Sequence, residues 1–98
     1  MSYNGWSNHQ TWAFKLHIDN NEGDYLMWND KVSSIKKNSK TPLIDVVDEL
    51  KDWWDEIFEA VIDGESTDEG KMMVRDIGNG NEINFYEVAE ALIEETEN

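Results

Sequence analysis

TPLIDVVDELKDWWDEIFEAVID, residues 41–63, decides the fold, because it predicts one long amphipathic α-helix. Thr41 is a favoured N-cap residue, and Pro42 suits the first helical position. At 100° per residue the apolar side chains take one side of the helix, and the acidic side chains fall within an arc of about 120° on the other. We name these eight acidic residues the acidic face: Asp45, Asp48, Glu49, Asp52, Asp55, Glu56, Glu59 and Asp63.

The spacing of apolar residues also predicts four shorter helices, over residues 8–19, 22–38, 66–77 and 84–95. Three of them begin at capping-box pairs, in which two residues three positions apart bond each other's backbone N–H groups. These pairs are Ser7 with Gln10, Ser66 with Glu69, and Asn84 with Glu87. The inward side of the first helix is expected to carry Trp12, Leu16 and either Phe14 or Ile18. No stretch alternates long enough for a strand pair, so we expect residues 1–98 to form a single all-α domain, a small bundle of about four to five helices.

The composition suits one compact core and excludes several kinds of site. Of the 98 residues 39% are hydrophobic and 11% aromatic, which lets a small domain bury a large area per residue. Because there is no cysteine, disulfides, thiolate metal sites and a cysteine nucleophile are excluded. No secretory signal pattern opens the chain, and no apolar run approaches the ~20 residues of a membrane span. We therefore expect a cytoplasmic protein.

The negative charge lies in one half of the chain. The formal net charge is −14. Residues 45–98 hold eighteen acidic and three basic side chains, a sum of −15, whereas residues 1–44 hold four acidic and five basic ones, a sum of +1. Such a field repels nucleic acid and anionic membrane and attracts surfaces that hold phosphates. We therefore expect no direct nucleic-acid or membrane binding, and a basic nucleic-acid-binding protein as the partner.

The acidic face has two interpretations, a merely solvated exterior and a contact surface. The second interpretation is favoured by the free-energy cost of the acidic face, because like charges four residues apart destabilise a helix. Four of the pairs at this spacing are Asp45/Glu49, Asp48/Asp52, Asp52/Glu56 and Asp55/Glu59. The charge density is roughly one carboxylate per 3.4 Å of helix, near the axial spacing of phosphates on one DNA strand. In the second interpretation the acidic face is therefore a phosphate mimic. We expect the C-terminal acids to extend its negative electrostatic field: Glu90, Glu94, Glu95 and Glu97.

Residues 76–87 resemble a degenerate EF-hand calcium loop. Asp76 takes loop position 1 and Glu87 takes position 12, between two predicted helices. Positions 3 and 5 are Gly78 and Gly80, so two ligand side chains are missing, and Glu87 is already explained as a capping-box residue. The sequence therefore favours no metal and no cofactor, with Asp76 and Glu87 as a weak calcium alternative.

A dense polar and aromatic cluster, NGWSNHQTW, occupies residues 4–12. In the structural interpretation Trp6 and Trp12 anchor the N-terminus to the core. Asn8 and Thr11 then satisfy backbone groups at a helix start. In the functional interpretation an exposed aromatic patch around Trp6, Trp12 or Trp28 binds a partner.

Catalytic chemistry finds no support in the residue pattern. His9 and His17 lie eight residues apart without a metal-ligand motif around them. No arrangement of nucleophile and base is recognisable, and there is no glycine-rich phosphate loop. We therefore expect no catalytic residues and no enzyme.

Both ends of the chain resemble one family of small hypothetical proteins from phages, plasmids and prokaryotic mobile elements. NGWSNHQTW at residues 4–12 is similar to the family's NGW-N-ETW opening, with HQ where Arg/Tyr-Glu is common. NNEG at 20–23 and FYEVAE at 85–90 are similar to its next motif and its C-terminal helix. The resemblance implies a mobile-element setting and assigns no activity. Small acidic proteins in that setting often inhibit host defence by imitating DNA, an association at the level of families.

These features predict a non-enzymatic inhibitor, of phage or mobile-element type, of a nucleic-acid-binding host-defence protein such as a restriction nuclease or CRISPR effector. The acidic face would act as the DNA mimic. The alternatives are a generic protein–protein interaction module with an aromatic patch and a degenerate EF-hand-like calcium module. A homodimer would lengthen the negative face, although nothing in the sequence requires one.

Overall fold

The structure, a computed structural model, describes residues 5–96 and contains five α-helices in that part of the chain. They are α1 (His9–Asn20), α2 (Glu22–Asn38), α3 (Pro42–Ile62), α4 (Asp68–Ile77) and α5 (Phe85–Glu95). The prediction of a small all-α fold is confirmed. The predicted bounds of α1, α2, α3 and α5 agree with the observed ones to within one residue, and α4 begins two residues later than predicted.

Helix α3 packs through one side against α2, α4 and α5. Its apolar side supplies four buried residues to the core, Val46, Val47, Leu50 and Trp54. Burying one large apolar side chain stabilises a fold by about 1.5–3 kcal/mol. The core therefore holds α3 by one side and leaves its acidic side to the solvent. Within residues 5–96 no helix has the length and apolar character needed to cross a membrane.

An aromatic cluster joins α1, α2, α3 and α5. The ring centroid of the fully buried Phe14 lies 5.7 Å from that of Trp53 and 5.9 Å from that of Trp54. Phe85 of α5 lies edge-on to Phe14 at 5.6 Å, and Trp28 of α2 lies edge-on to Trp53 at 5.5 Å. Such aromatic pairs contribute about 0.5–1.5 kcal/mol beyond their buried area. Trp53 is thereby held between two neighbours at the edge of the core.

The predicted inward side of α1 is partly wrong. Phe14 and Ile18 are buried, but Trp12 and Leu16 are only half-buried, and Lys15 is 3% exposed. Helix α1 packs against three helices, α2, α4 and α5. Two of the buried residues of α1, Thr11 and Lys15, are polar, so the periodicity of apolar side chains could not identify its buried side. Lys15 is tolerated inside because its ammonium group is 2.8 Å from the carboxylate of Asp19 and 3.1 Å from that of Glu95.

Two of the predicted capping boxes are also wrong. The N-cap of α1 is Asn8, not Ser7, and its side chain accepts a hydrogen bond from the backbone N–H of Thr11. The N-cap of α4 is Thr67, not Ser66, which shortens that helix at its start. In each case the residue after the predicted one is an equally good capping type, so local preference left the choice open. Asn84 caps α5 as predicted, but Glu87 does not complete this box, because its carboxylate bonds to Ser7 and the backbone N–H of Asn84 donates to Thr11.

Candidate functional site

The acidic face occupies the side of α3 opposite the core. Six of its eight residues are exposed: Asp48, Asp52, Asp55, Glu56, Glu59 and Asp63. From first to last they span about 22 Å of helix at ~1.5 Å per residue. None of the ion pairs within residues 5–96 involves any of the six. The structure therefore places six predicted site residues on one continuous, unpaired negative surface.

The other two residues of the acidic face have partners near the start of α3. The Asp45 carboxylate accepts hydrogen bonds from the hydroxyl groups of Ser39 and Thr41, the second at 3.4 Å. Lys31 of α2 donates to Oε1 of Glu49 at 2.7 Å. Exposed ion pairs of this kind contribute about 0–1 kcal/mol, so a cationic group of a partner can replace Lys31 beside Glu49 at little cost. The unpaired part of the acidic face begins at Asp48.

The placement of charge on α3 works against the stability of the helix. A helix dipole is negative at its C-terminal end, yet Glu59 lies in the last turn and Asp63 is the C-cap. No basic residue in the last turn compensates them. Lys51, the one basic residue of α3, lies outside the acidic arc. The buried side of α3 must therefore offset the repulsion among carboxylates on its exposed side.

The C-terminal acids do not extend the acidic face, contrary to the sequence-based expectation. Glu90 and Glu94 lie beside Leu43, whose helical position is on the opposite side of α3 from the acidic arc. Glu95 is paired with the buried lysine of α1. Glu97 lies outside the described residues. The candidate surface is therefore confined to α3.

The two residues of the calcium alternative point to different partners. Oδ2 of Asp76 lies 3.0 Å from Nε2 of His17. The two carboxylate oxygens of Glu87 accept hydrogen bonds from the backbone N–H and the hydroxyl of Ser7, each at 3.0 Å. No group of three or more histidine, aspartate or glutamate side chains within residues 5–96 is arranged to hold a metal ion. Asp76 and Glu87 are thus occupied with structural contacts to the N-terminal part of the chain.

Four residues at the start of α1 fasten the loop between α4 and α5; we name them the N-terminal clamp: Ser7, Asn8, Gln10 and Thr11. Nδ2 of Asn8 donates to the carbonyl of Glu82 at 2.8 Å. Oε1 of Gln10 accepts from the backbone N–H of Glu82 at 2.7 Å. The buried hydroxyl of Thr11 accepts from the backbone N–H of Asn84 at 2.8 Å. These bonds join three backbone groups of the loop to the start of α1, so the clamp fixes the position of the loop against this helix.

The tryptophans of the predicted aromatic patch are part of the core or packed on it. Trp28 is 1% exposed, so it cannot anchor a partner on the surface of this structure. Trp6 and Trp12 are half-buried and pack against the core residues. The structural interpretation of residues 6–12 is therefore confirmed for the two tryptophans as well as for Asn8 and Thr11.

A pocket of about 290 Å³ lies where α1, α2 and α4 meet, and no pattern in the sequence predicted it. Asp24 and Glu69 both line it, and Nδ2 of Asn21 donates to Oε2 of Glu69 at 2.6 Å. Burial raises the pKa of Asp24 above its ordinary value of 3.8, and the negative charge of Glu69 raises it further. An aspartate in the first turn of a helix normally compensates the dipole, so the local pattern concealed this repulsion.

The chain belongs to a family of unknown function, DUF7249, whose family model matches residues 1–98. A search of curated proteins and a search of solved structures each found no match. The family assigns no activity to any residue. The functional argument therefore rests on the geometry and charge of the site.

Proposed function

We propose that this family member is a non-enzymatic inhibitor of a nucleic-acid-binding host-defence protein, of anti-restriction or anti-CRISPR type. In this proposal the acidic face is a DNA mimic that occupies the basic groove of its target. One observation carries the proposal: six exposed carboxylates follow one side of α3 with no ion-pair partner among residues 5–96. A basic groove that binds a phosphate backbone would meet a similar row of negative charge there.

The energetic cost of this surface favours a contact role over a solvated exterior. A helix face with alternating Glu and Lys at i,i+4 gains about 0.2–0.5 kcal/mol per pair, whereas like charges lose a similar amount. Glu59 and Asp63 add an unfavourable interaction with the helix dipole. A surface that only had to stay in water would be more stable with mixed charge. The uniform negative sign is explained if a basic partner compensates it on binding.

The test compares two variants that change the net charge equally. In the face variant Asp52, Asp55, Glu56 and Glu59 are replaced by Lys. The control variant carries the same replacement at four exposed acidic residues elsewhere: Glu22, Glu82, Glu90 and Glu94. Each tagged protein is used at low salt to capture binding proteins from nuclease-treated host lysate, and the bound fraction is eluted with duplex DNA. Circular dichroism establishes that both variants are folded.

We expect the wild type and the control variant to capture a nucleic-acid-binding protein that duplex DNA displaces, and the face variant to lose it. Because the interaction is electrostatic, we also expect elution at moderate NaCl concentration. Equal capture of the same DNA-displaced protein by the face variant would contradict the proposal. The proposal would also be contradicted if all captured proteins resisted elution by NaCl and none was displaced by duplex DNA.

A further inference from the structure

A pocket of about 240 Å³ opens beside the acidic face, between the second half of α3 and the start of α4. Its apolar lining includes Trp53, Ile57 and Ala60, which are half-buried. Two exposed carboxylates also line it, Glu56 of the acidic face and Glu65 from the connection to α4. The pocket therefore combines an aromatic and aliphatic interior with a negatively charged rim.

The packing of the neighbouring elements keeps this pocket open. Trp53 cannot swing into it freely, because its ring is packed against Phe14 at 5.7 Å and Trp28 at 5.5 Å. On the opposite wall Gly70 has no side chain, and a Cβ there would overlap the hydroxyl of Ser66 and approach Cγ2 of Ile57 to 3.7 Å. Glycine inside a helix costs about 0.5–1 kcal/mol relative to alanine. Gly70 therefore leaves this wall of the pocket without a side chain at a small cost to α4.

We infer that this pocket receives an arginine side chain of the partner, an inference that rests on the proposed function. A guanidinium group stacks on an indole ring and at the same time pairs with carboxylates through its planar donors. An apolar side chain would leave Glu56 and Glu65 without compensation. The more strongly hydrated lysine ammonium lacks the planar surface for stacking. Arginine is also a main phosphate ligand of nucleic-acid-binding proteins, so a groove that binds the acidic face would carry it.

The first test uses a defined peptide and the indole N–H signals of the five tryptophans in NMR spectra. The probe is acetyl-Gly-Arg-Gly-amide at low salt, and acetyl-Gly-Lys-Gly-amide is its control. We expect the arginine peptide to give a saturating shift of the Trp53 indole and the Gly70 amide. At equal concentration the lysine peptide should give a shift at least about threefold smaller. Equal shifts from both peptides, or shifts spread evenly over the acidic face, would overturn the inference.

Two variants separate the pocket from the acidic face. Ala60→Phe fills the pocket without changing the charge, and Ile62→Phe adds similar bulk at a site that is 67% exposed on the other flank of the acidic arc. Glu65→Gln removes a rim carboxylate that is not part of the acidic face and is exposed, so it spares the fold. We expect the saturating Trp53 shift to disappear in Ala60→Phe, to weaken about threefold or more in Glu65→Gln, and to persist in Ile62→Phe. Persistence of the full shift in both pocket variants would overturn the inference.

The same variants distinguish failure of the pocket from failure of the proposed function. If Ala60→Phe captures the DNA-displaced protein as well as wild type does, the inference of an arginine in this pocket is wrong, while the proposed role of the acidic face is unaffected. If the fourfold face variant also captures it, both are wrong. Weaker capture by Ala60→Phe and Glu65→Gln, with full capture by Ile62→Phe, is the result expected from an arginine bound beside Trp53.

Discussion

The N-terminal clamp and the acidic face are both polar, but they differ in whether their side chains have bonding partners within the molecule. Each clamp residue bonds to the loop or to the first turn of α5, within residues 82–87. On the acidic face six carboxylates are exposed, and none belongs to an ion pair within residues 5–96. The clamp is satisfied inside the molecule, whereas these six carboxylates can be compensated only by ions or by a partner.

This contrast teaches that a distinctive motif is not by itself a functional site. Residues 4–12 carry the most recognisable pattern in the chain, yet from Ser7 to Thr11 their contacts serve the fold. The residues of the acidic face form no recognisable motif, yet they lie on the surface at a cost to the helix that carries them. Where a polar group finds its partner is therefore a better guide to its role than how distinctive its sequence is.

The largest expected effect concerns the loop that the clamp holds. Gly80 has a φ of +78°, and a Cβ there would overlap the indole of Trp54, reaching 2.7 Å from Cε2. Gly80→Ala should lower the free energy of unfolding by about 2–4 kcal/mol, measured by urea denaturation. Gly64→Ala is the matched control, because Gly64 has a similar φ of +77° with open space around its Cβ position. Equal losses in the two variants would show that the Trp54 contact is unimportant.

A smaller loss is expected from the clamp itself. Thr11→Val keeps the size of the side chain but leaves the backbone N–H of Asn84 without its acceptor. We expect the free energy of unfolding to fall by about 1–2 kcal/mol, because a part-buried donor loses its acceptor. Capture of the partner by the folded variant should be unchanged. Loss of capture at a temperature where circular dichroism shows the variant folded would give the clamp a contact role and break the comparison.

Neutralising residues of the acidic face should raise the free energy of unfolding, the opposite of the effect expected for the clamp. Neutralising Asp55 and Glu59 together removes two like-charge pairs, Asp55/Glu59 and Glu59/Asp63, and one acid from the last turn of α3. The double variant Asp55→Asn, Glu59→Gln should gain about 0.5–1 kcal/mol in thermal or urea denaturation at low salt and lose partner binding. Glu22→Gln is the control, because Glu22 lies in the first turn of α2, where the dipole favours an acid, and its loss should destabilise. A destabilised double variant would argue against repulsion on this face.

The smallest effect concerns a carboxylate outside both regions. Because burial and Glu69 raise the folded-state pKa of Asp24, its protonated form favours folding. That contribution is complete below the ordinary pKa of 3.8 and is lost as pH rises through the raised value. Asp24→Asn should therefore match wild type in acid and become relatively more stable as pH rises, measured by urea denaturation across that range. Asp30→Asn, at an exposed site on the same helix, controls for the loss of one charge; a stability difference for Asp24→Asn that does not change with pH would contradict this account.

Local patterns predicted the helices well where each helix has one buried side. Val46, Leu50 and Trp54 repeat at helical intervals in α3, so the acidic arc followed directly from the sequence. In α1 the same reasoning placed the half-buried Leu16 inside and missed the buried Thr11 and Lys15, because these two buried residues are polar. Pattern therefore specifies a helix whose buried side is apolar better than one whose buried side includes polar residues.

Contacts between residues far apart in the chain could not be predicted. The sequence assigned Ser7 and Gln10 to a helix cap, whereas both bond to residues more than seventy positions away. The pocket beside Trp53 likewise depends on how the start of α4 lies against the second half of α3. Capping preference and periodicity describe neighbours along the chain, so they contain no information on either arrangement.

Competition between this protein and duplex DNA for the captured target tests the central claim most directly. The measurement is the apparent Kd of the target for this protein at increasing concentrations of duplex DNA and constant ionic strength. If the acidic face takes the place of phosphates, the apparent Kd should rise in proportion to DNA concentration without reaching a ceiling, because one groove cannot hold both. A plateau in the apparent Kd, with a complex that contains target, DNA and this protein together, would contradict the account.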